Sequence, residues 1–203
     1  MKNRANILVL ILSLVFIYVL LYLSFDQKAV FWYLYTFTML VGMAVSFAFG
    51  KIEDKIKTWE YLLFGVGYGT ILYGLIALGY RLLPNLSNDL LISVNKFIET
   101  FGPSALWHYI LLILIIAVAE ELFWRGYVQQ QLKQHMKAPY AVILAATLFA
   151  MSLAVSGFWL GVLAAFVTGV IFGFLYEWKK SMPIIIVSHI VMITLLFLLL
   201  PLH

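Results

Sequence analysis

The run Ile7–Phe25, ILVLILSLVFIYVLLYLSF, decides the fold of this chain. It holds no charged residue and is close to the roughly 20 apolar residues that cross a bilayer as a helix. Its apolar residues do not alternate with polar ones, which argues against the strand of a membrane barrel. Lys2 and Arg4 precede it. The run is longer than the apolar core of a cleaved signal peptide and lacks a small-residue cleavage site, so we expect a retained first transmembrane helix.

The composition of the whole chain agrees with this first run. Of 203 residues, 65% are hydrophobic and 11% are charged, whereas soluble domains carry about 25% charged residues. Cysteine is absent, which excludes disulfides, thiol nucleophiles and cysteine-ligated zinc. The net charge of +4 is small, and no basic patch is interleaved with aromatic residues. We therefore expect membrane lipid, and no nucleic acid, as a partner.

The predicted fold is all-α, a polytopic transmembrane bundle of about seven spans with a cytoplasmic N-terminus. Residues 1–104 hold the first three spans and a long connection, in which we expect a short helix around Leu91–Phe101. Residues 105–203 hold the last four spans and form the core. The predicted spans are Ile7–Phe25, Val30–Phe49, Tyr61–Leu83, Leu106–Tyr127, Ala138–Val155, Phe158–Tyr176 and Pro183–Leu200.

The basic residues between the spans predict the orientation. With the N-terminus inside and seven spans, nine Lys and Arg residues lie on the cytoplasmic side and three on the outer side, with Arg125 set aside because it falls within a span. This asymmetry follows the positive-inside rule. The inner set is Lys2, Arg4, Lys51, Lys55, Lys57, Lys133, Lys137, Lys179 and Lys180, and the outer set is Lys28, Arg81 and Lys96.

Small residues mark where spans pack closely. The third span contains Gly65, Gly67 and Gly69, and the sixth contains Ala165, Gly169 and Gly173 at spacings of four. Such residues let membrane helices approach one another. The aromatic residues are expected to face lipid or the membrane interface for the most part.

Four ionisable residues fall clearly inside predicted spans: Glu120, Glu121, Arg125 and His189. Charges at the bilayer centre cost about 2.5–3.5 kcal/mol each, so they are expected to face the bundle interior and to have partners. Glu121 and Arg125 are four residues apart and can form an ion pair on one helix face. Glu120 is rotated about 100° from Glu121 and needs a partner on another helix, and His189 lies at a similar depth.

This cluster has catalytic and structural interpretations. Glu120 is a candidate general base for water. His189 is a candidate donor to an oxyanion, or a metal ligand through its neutral imidazole. Alternatively, Glu121 and Arg125 form only a structural ion pair, and His189 is a hydrogen-bonding residue between helices.

The segment Glu120-Glu121-Leu122-Phe123-Trp124-Arg125-Gly126 resembles the E-E-x-x-x-R motif of the type II CAAX protease and bacteriocin-processing (CPBP, or Abi) family of membrane endopeptidases. Residues 145–153 resemble the F-x-x-x-H segment of that family, and residues 188–193 resemble its H-x-x-x-N segment. The sixth span, with Gly161, Gly169 and Gly173, resembles its glycine-rich helix. The resemblance covers about residues 105–200.

The resemblance implies a role for each matching residue. Glu120 would activate water, Glu121 and Arg125 would support it, and His189 would belong to the oxyanion or metal site. Zinc is one implied cofactor, held by His189 and Glu120, and a metal-free glutamate mechanism is the other option. Two positions depart from the family pattern: Leu153 stands where the family has His, and Ile193 where it has Asn or Asp. A catalytic zinc normally needs three protein ligands, which these departures put in doubt.

Two functions follow. The first is a membrane endopeptidase of the CAAX-protease-like family with a partly degenerate site, cleaving a peptide by glutamate-activated water. The second is a catalytically inactive member, a pseudoenzyme that binds a peptide or membrane protein, with bacteriocin immunity or envelope regulation as examples by analogy. A transporter with a carboxylate relay is disfavoured, because the polar residues cluster on two spans. By resemblance, the location is the bacterial cytoplasmic (inner) membrane.

Overall fold

The chain forms a bundle of helices. The structure, a computed structural model, describes the backbone of residues 2–202 and the side chains of residues 7–202. Within this part, no strand is present, and an isolated β-bridge pairs Asp54 with Ser181. The predicted all-α class is confirmed.

The helices follow the predicted spans closely. They are α1 (Lys2–Asp26), α2 (Phe31–Phe49), α3 (Thr58–Leu86), α4 (Asn88–Phe101), α5 (Leu106–Leu132), α6 (Ala138–Ala154), α7 (Trp159–Lys179) and α8 (Met182–Leu199). A 3₁₀ turn, Lys28–Val30, joins α1 to α2.

Six of the described helices are long and apolar enough to cross a membrane. The other apolar one, α6, has 17 residues, which is the lower end of the usual range for a span. The chain is therefore an integral membrane protein. The orientation stays a prediction, and the side chains of Lys2 and Arg4, which it counts, lie outside the described residues.

The connection between the third and fourth spans contains the expected short helix. Helix α4 begins after Ser87, whose hydroxyl accepts a hydrogen bond from the backbone N–H of Asp89 at 3.2 Å. This is a standard N-cap contact. Phe97 and Phe101 of α4 pack with Phe25 and Phe31 from the α1–α2 end of the bundle. The connection is thus folded against the bundle.

The glycines of α3 permit close contact with α8. A Cβ atom on Gly65 would lie 2.6 Å from Val187, and one on Gly69 would lie 2.5 Å from the carbonyl oxygen of Ser188. A Cβ atom on Gly67 would meet no atom within 4 Å. Two of the three glycines therefore belong to the interface, as close packing through small residues requires. Because α3 packs on α8, helices from the two predicted parts of the chain, residues 1–104 and 105–203, are in direct contact.

Helix α7 packs on α6 in the same way. A Cβ atom on Gly169 would lie 3.1 Å from Ala146, and one on Gly173 would lie 2.7 Å from Val142. The predicted packing role of the small residues in the sixth span is therefore observed. This contact places Phe172 of α7 beside the polar residues of α5.

Helix α5 departs twice from regular α-helical geometry. Leu112–Ile116 and Leu122–Val128 are π-helical, and Ala117–Glu121 between them is α-helical. Turns of π-helix inside longer helices occur frequently at functional sites. Here they flank the adjacent glutamates.

The loop between α2 and α3 is hydrogen-bonded to α5 and α7. The backbone N–H of Lys51 donates to the carbonyl of Gly126 in α5 at 2.8 Å. The hydroxyl of Tyr176 in α7 accepts from the N–H of Glu53 at 2.9 Å and donates to the carbonyl of Lys51 at 3.1 Å. A hydrogen bond from the Lys51 ammonium lowers the pKa of the Glu53 carboxyl. These contacts fix the position of α5 relative to α7.

Candidate active site

Glu121 is the centre of the polar cluster. Its side chain is 0% exposed, and its Oε1 atom accepts hydrogen bonds from Arg125 Nη1 at 3.1 Å and from His189 Nδ1 at 2.8 Å. The predicted ion pair on α5 is therefore present. Because His189 comes from α8, Glu121 also joins the two helices that carry the family-like motifs.

Arg125 is enclosed by aromatic rings. Its guanidinium carbon lies 4.7 Å from the ring centre of Phe149 in α6 and 5.5 Å from that of Phe172 in α7. Arginine stacks readily on aromatic faces and is weakly hydrated, which suits a buried site. The Nη2 atom of Arg125 and the Oε2 atom of Glu121 make no hydrogen bond within the described residues. The pair is held by one hydrogen bond and by the two rings.

The contact with Glu121 identifies which ring nitrogen of His189 donates a hydrogen bond. A carboxylate oxygen only accepts, so Nδ1 of His189 carries the proton that is shared with Glu121. Nε2 then points to Oε2 of Glu120, 3.8 Å away. This distance is too long for a direct hydrogen bond. Glu120 and His189 do meet, as their depth suggested, but the hydrogen bond of His189 goes to Glu121.

The hydrogen-bond partner of Glu120 is Tyr35, which the sequence did not single out. The Tyr35 hydroxyl donates to Oε1 of Glu120 at 2.6 Å. Tyr35 belongs to α2, and the prediction that aromatic side chains mostly face lipid or the interface does not hold for it. Nothing in the sequence distinguishes Tyr35 from Tyr33 two residues away, and Tyr33 is 64% exposed.

A cavity of about 120 Å³ reaches Glu120. This is several times the volume that one water molecule needs, and somewhat less than a cavity of ~150 Å³ that holds benzene. Half of the lining residues are aromatic, and the wall includes Phe25, Phe31, Trp32, Tyr35, Phe97, Phe101 and Leu153.

The two positions that depart from the family pattern both lie near this cluster. Leu153 lines the cavity together with Glu120. Ile193 lies one helical turn after His189 on α8 and is buried. Neither side chain brings a polar atom, and within the described part of the chain the side chains recorded within 4 Å of the Glu120 carboxylate oxygens are those of Tyr35 and His189.

The residues present do not fit a zinc ion. Among the described residues, no group of three or more His, Cys, Asp and Glu side chains could hold a metal. Glu121 Oε1 and His189 Nδ1 are committed to each other, and Glu120 Oε1 to Tyr35. His189 Nε2, Glu120 Oε2 and the buried Glu121 Oε2 make no hydrogen bond within the described residues, but they form no group that could hold a metal, whereas a catalytic zinc normally takes three protein ligands.

Comparison with known proteins agrees with the motifs. The family model described as type II CAAX prenyl endopeptidase Rce1-like matches residues 102–195. No curated protein and no solved structure matches the chain. The match contains the Glu120–Arg125 motif, the α6 segment that ends at Leu153, and the α8 segment that holds His189. The chain is thus an integral membrane protein whose residues 102–195 are similar to the Rce1-like family of type II CAAX prenyl endopeptidases.

Proposed function

We propose that this protein is a membrane endopeptidase in which Glu120 activates water. One observation carries the proposal: Glu120 borders a cavity large enough for water, and the Nε2 atom of His189 faces the same carboxylate. In this arrangement Glu120 is the base, His189 is the second group, and Glu121 orients His189. Catalytic sites commonly orient one reacting group through a third residue in this way. At family level, a CAAX-type membrane protease accounts for the match over residues 102–195.

The proposed reaction uses residues of this chain alone. Glu120 takes one proton from water as the water oxygen bonds to the scissile carbonyl carbon. The carbonyl oxygen becomes an oxyanion, which His189 stabilises when its Nε2 atom carries a proton. The C–N bond then breaks, and Glu120 returns its proton to the leaving amine. Glu121 and Arg125 hold His189 in orientation throughout.

The proposal is for a metal-free reaction, because the ligand set falls short of a zinc site. Metal analysis of the purified protein is expected to find no stoichiometric zinc. About one zinc per chain, lost in both Glu120→Gln and His189→Ala, would contradict a metal-free site.

The test of the proposed reaction uses the full chain in lipid vesicles and a mixed peptide library, with cleavage sites read by mass spectrometry. Glu120→Gln is expected to abolish cleavage while the protein still accumulates and folds. Glu99→Gln, an exposed glutamate of α4, is the matched control and should cleave as the wild type does. Cleavage by the Glu120→Gln variant at the wild-type rate would refute the proposal.

A second candidate function is favoured by one observation, the apolar Leu153 in the wall of a small cavity. In this alternative, the chain is a catalytically inactive pseudoenzyme that binds a peptide or membrane protein, with bacteriocin immunity or envelope regulation as its context. It predicts that Glu120→Gln is tolerated and that Arg125→Ala destabilises the bundle. Under either function, we propose that the protein resides in a bacterial inner membrane.

A further inference from the structure

We propose that Tyr35 is a positioning residue of the site, which holds Glu120 so that one carboxylate oxygen is free to face His189. This inference rests on the proposed function and adds a residue from α2. Tyr35 lies outside residues 102–195, the part of the chain that the family model matches.

The geometry distinguishes the two oxygens of Glu120. Oε1 accepts the Tyr35 hydroxyl at 2.6 Å, whereas Oε2 lies 3.8 Å from His189 Nε2. A carboxylate with one oxygen bonded cannot rotate freely about its terminal torsion. Oε2 therefore stays on the side of His189, where a water molecule can lie between the two groups.

Tyr35 is itself held in place from two sides. Its ring centre lies 5.2 Å from that of Phe31 and 5.9 Å from that of Phe25. Helix α2 is also in close contact with α5, because a Cβ atom on Gly42 would lie 3.3 Å from the ring of Phe123. The hydroxyl of Tyr35 is thus carried by a ring and a helix that are both fixed relative to Glu120.

Tyr35→Phe is the direct test, because it keeps the ring and removes only the hydroxyl. Tyr33→Phe is the matched control on the same helix, since Tyr33 is exposed and uses its ring to stack on Trp107. The first measurement is the infrared carboxyl band of Glu120 in the full chain, identified by its loss in Glu120→Gln. We expect this band to shift in Tyr35→Phe and to stay unchanged in Tyr33→Phe.

The second measurement is peptide cleavage by the same variants. Tyr35→Phe is expected to lower kcat by about 10- to 100-fold, the range for a lost hydrogen bond to a charged group, with little change in KM. The pH dependence of kcat should also move, because Glu120 loses a donor. A residue with a purely structural role would not change the band or the pH profile.

The two measurements separate this inference from the proposed function. An unchanged Glu120 band in Tyr35→Phe, or cleavage with unchanged kcat, would overturn the role of Tyr35. If the wild type cleaves no peptide, the proposed function fails. The infrared measurement needs no turnover, so it still reports whether Tyr35 holds Glu120.

Discussion

Arg125 is the residue that balances the buried charge of Glu121. It is 2% exposed, and its Nη1 atom lies 3.1 Å from Oε1 of Glu121. Removing one member of a buried pair leaves the other charge without compensation, which costs more than the pair contributes. The ion pair thus has a structural effect whichever function is correct.

We therefore expect Arg125→Met to destabilise the folded protein by about 3–5 kcal/mol. The measurement is an unfolding titration in mixed micelles followed by circular dichroism. Arg81→Met, an exposed arginine on α3, is the control and should change stability little. The double variant Glu121→Gln with Arg125→Met should recover part of the lost stability. If Arg125→Met were as stable as the wild type, the buried ion pair would be contradicted.

Under the proposed peptidase function, we expect Leu153 and Ile193 to limit the rate of cleavage. Both occupy positions where the family pattern has a polar residue, and one oxyanion donor is worth about 10²–10³ in rate. We expect the double variant Leu153→His with Ile193→Asn to raise peptide cleavage by about that factor. Leu148→His, a change at a similarly half-buried position of α6, is the control. A restored variant no faster than wild type would show that these two positions do not limit the reaction.

At the scale of helices, the contact between α3 and α8 sets the position of His189. The Gly69 backbone approaches the carbonyl of Ser188 so closely that an added Cβ atom would lie 2.5 Å from it. Ser188 precedes His189 directly. Any residue larger than glycine at position 69 must therefore push α8 away from α3.

Gly69→Ala is expected to destabilise the protein by about 1–3 kcal/mol, the cost of overpacking, and to lower cleavage by moving His189. Gly67→Ala is the control on the same helix, because its Cβ atom would meet nothing within 4 Å. Unfolding titrations of the two variants compare them directly. Equal stability would mean that α3 and α8 are not in contact as described.

At the scale of the whole molecule, the site combines both predicted parts of the chain. Glu120, Glu121, Arg125 and His189 come from residues 105–203, whereas Tyr35 and most of the aromatic cavity wall come from residues 1–104. The first two spans therefore contribute side chains to the candidate site.

The orientation of the molecule can be tested with single cysteines, because the natural sequence has none. With the N-terminus inside, Lys28→Cys should react with a membrane-impermeant maleimide in intact cells. Lys137→Cys should react only after the membrane is made permeable. Both lysines are exposed in the structure, so the reverse labelling pattern would show that the positive-inside prediction is wrong.

The sequence by itself determined the helical membrane class, approximate span ends, the family motifs and the pairing of Glu121 with Arg125. These features depend on neighbours along the chain: the length of an apolar run must match the bilayer, and residues four apart share a helix face. Tertiary structure alone decided that Tyr35 is the partner of Glu120 and that His189 bonds to Glu121. Such contacts depend on the distance between helices and on the rotation of each helix about its axis. Glycines such as Gly42 and Gly69 permit a close approach, but no local sequence pattern specifies which side chains then meet.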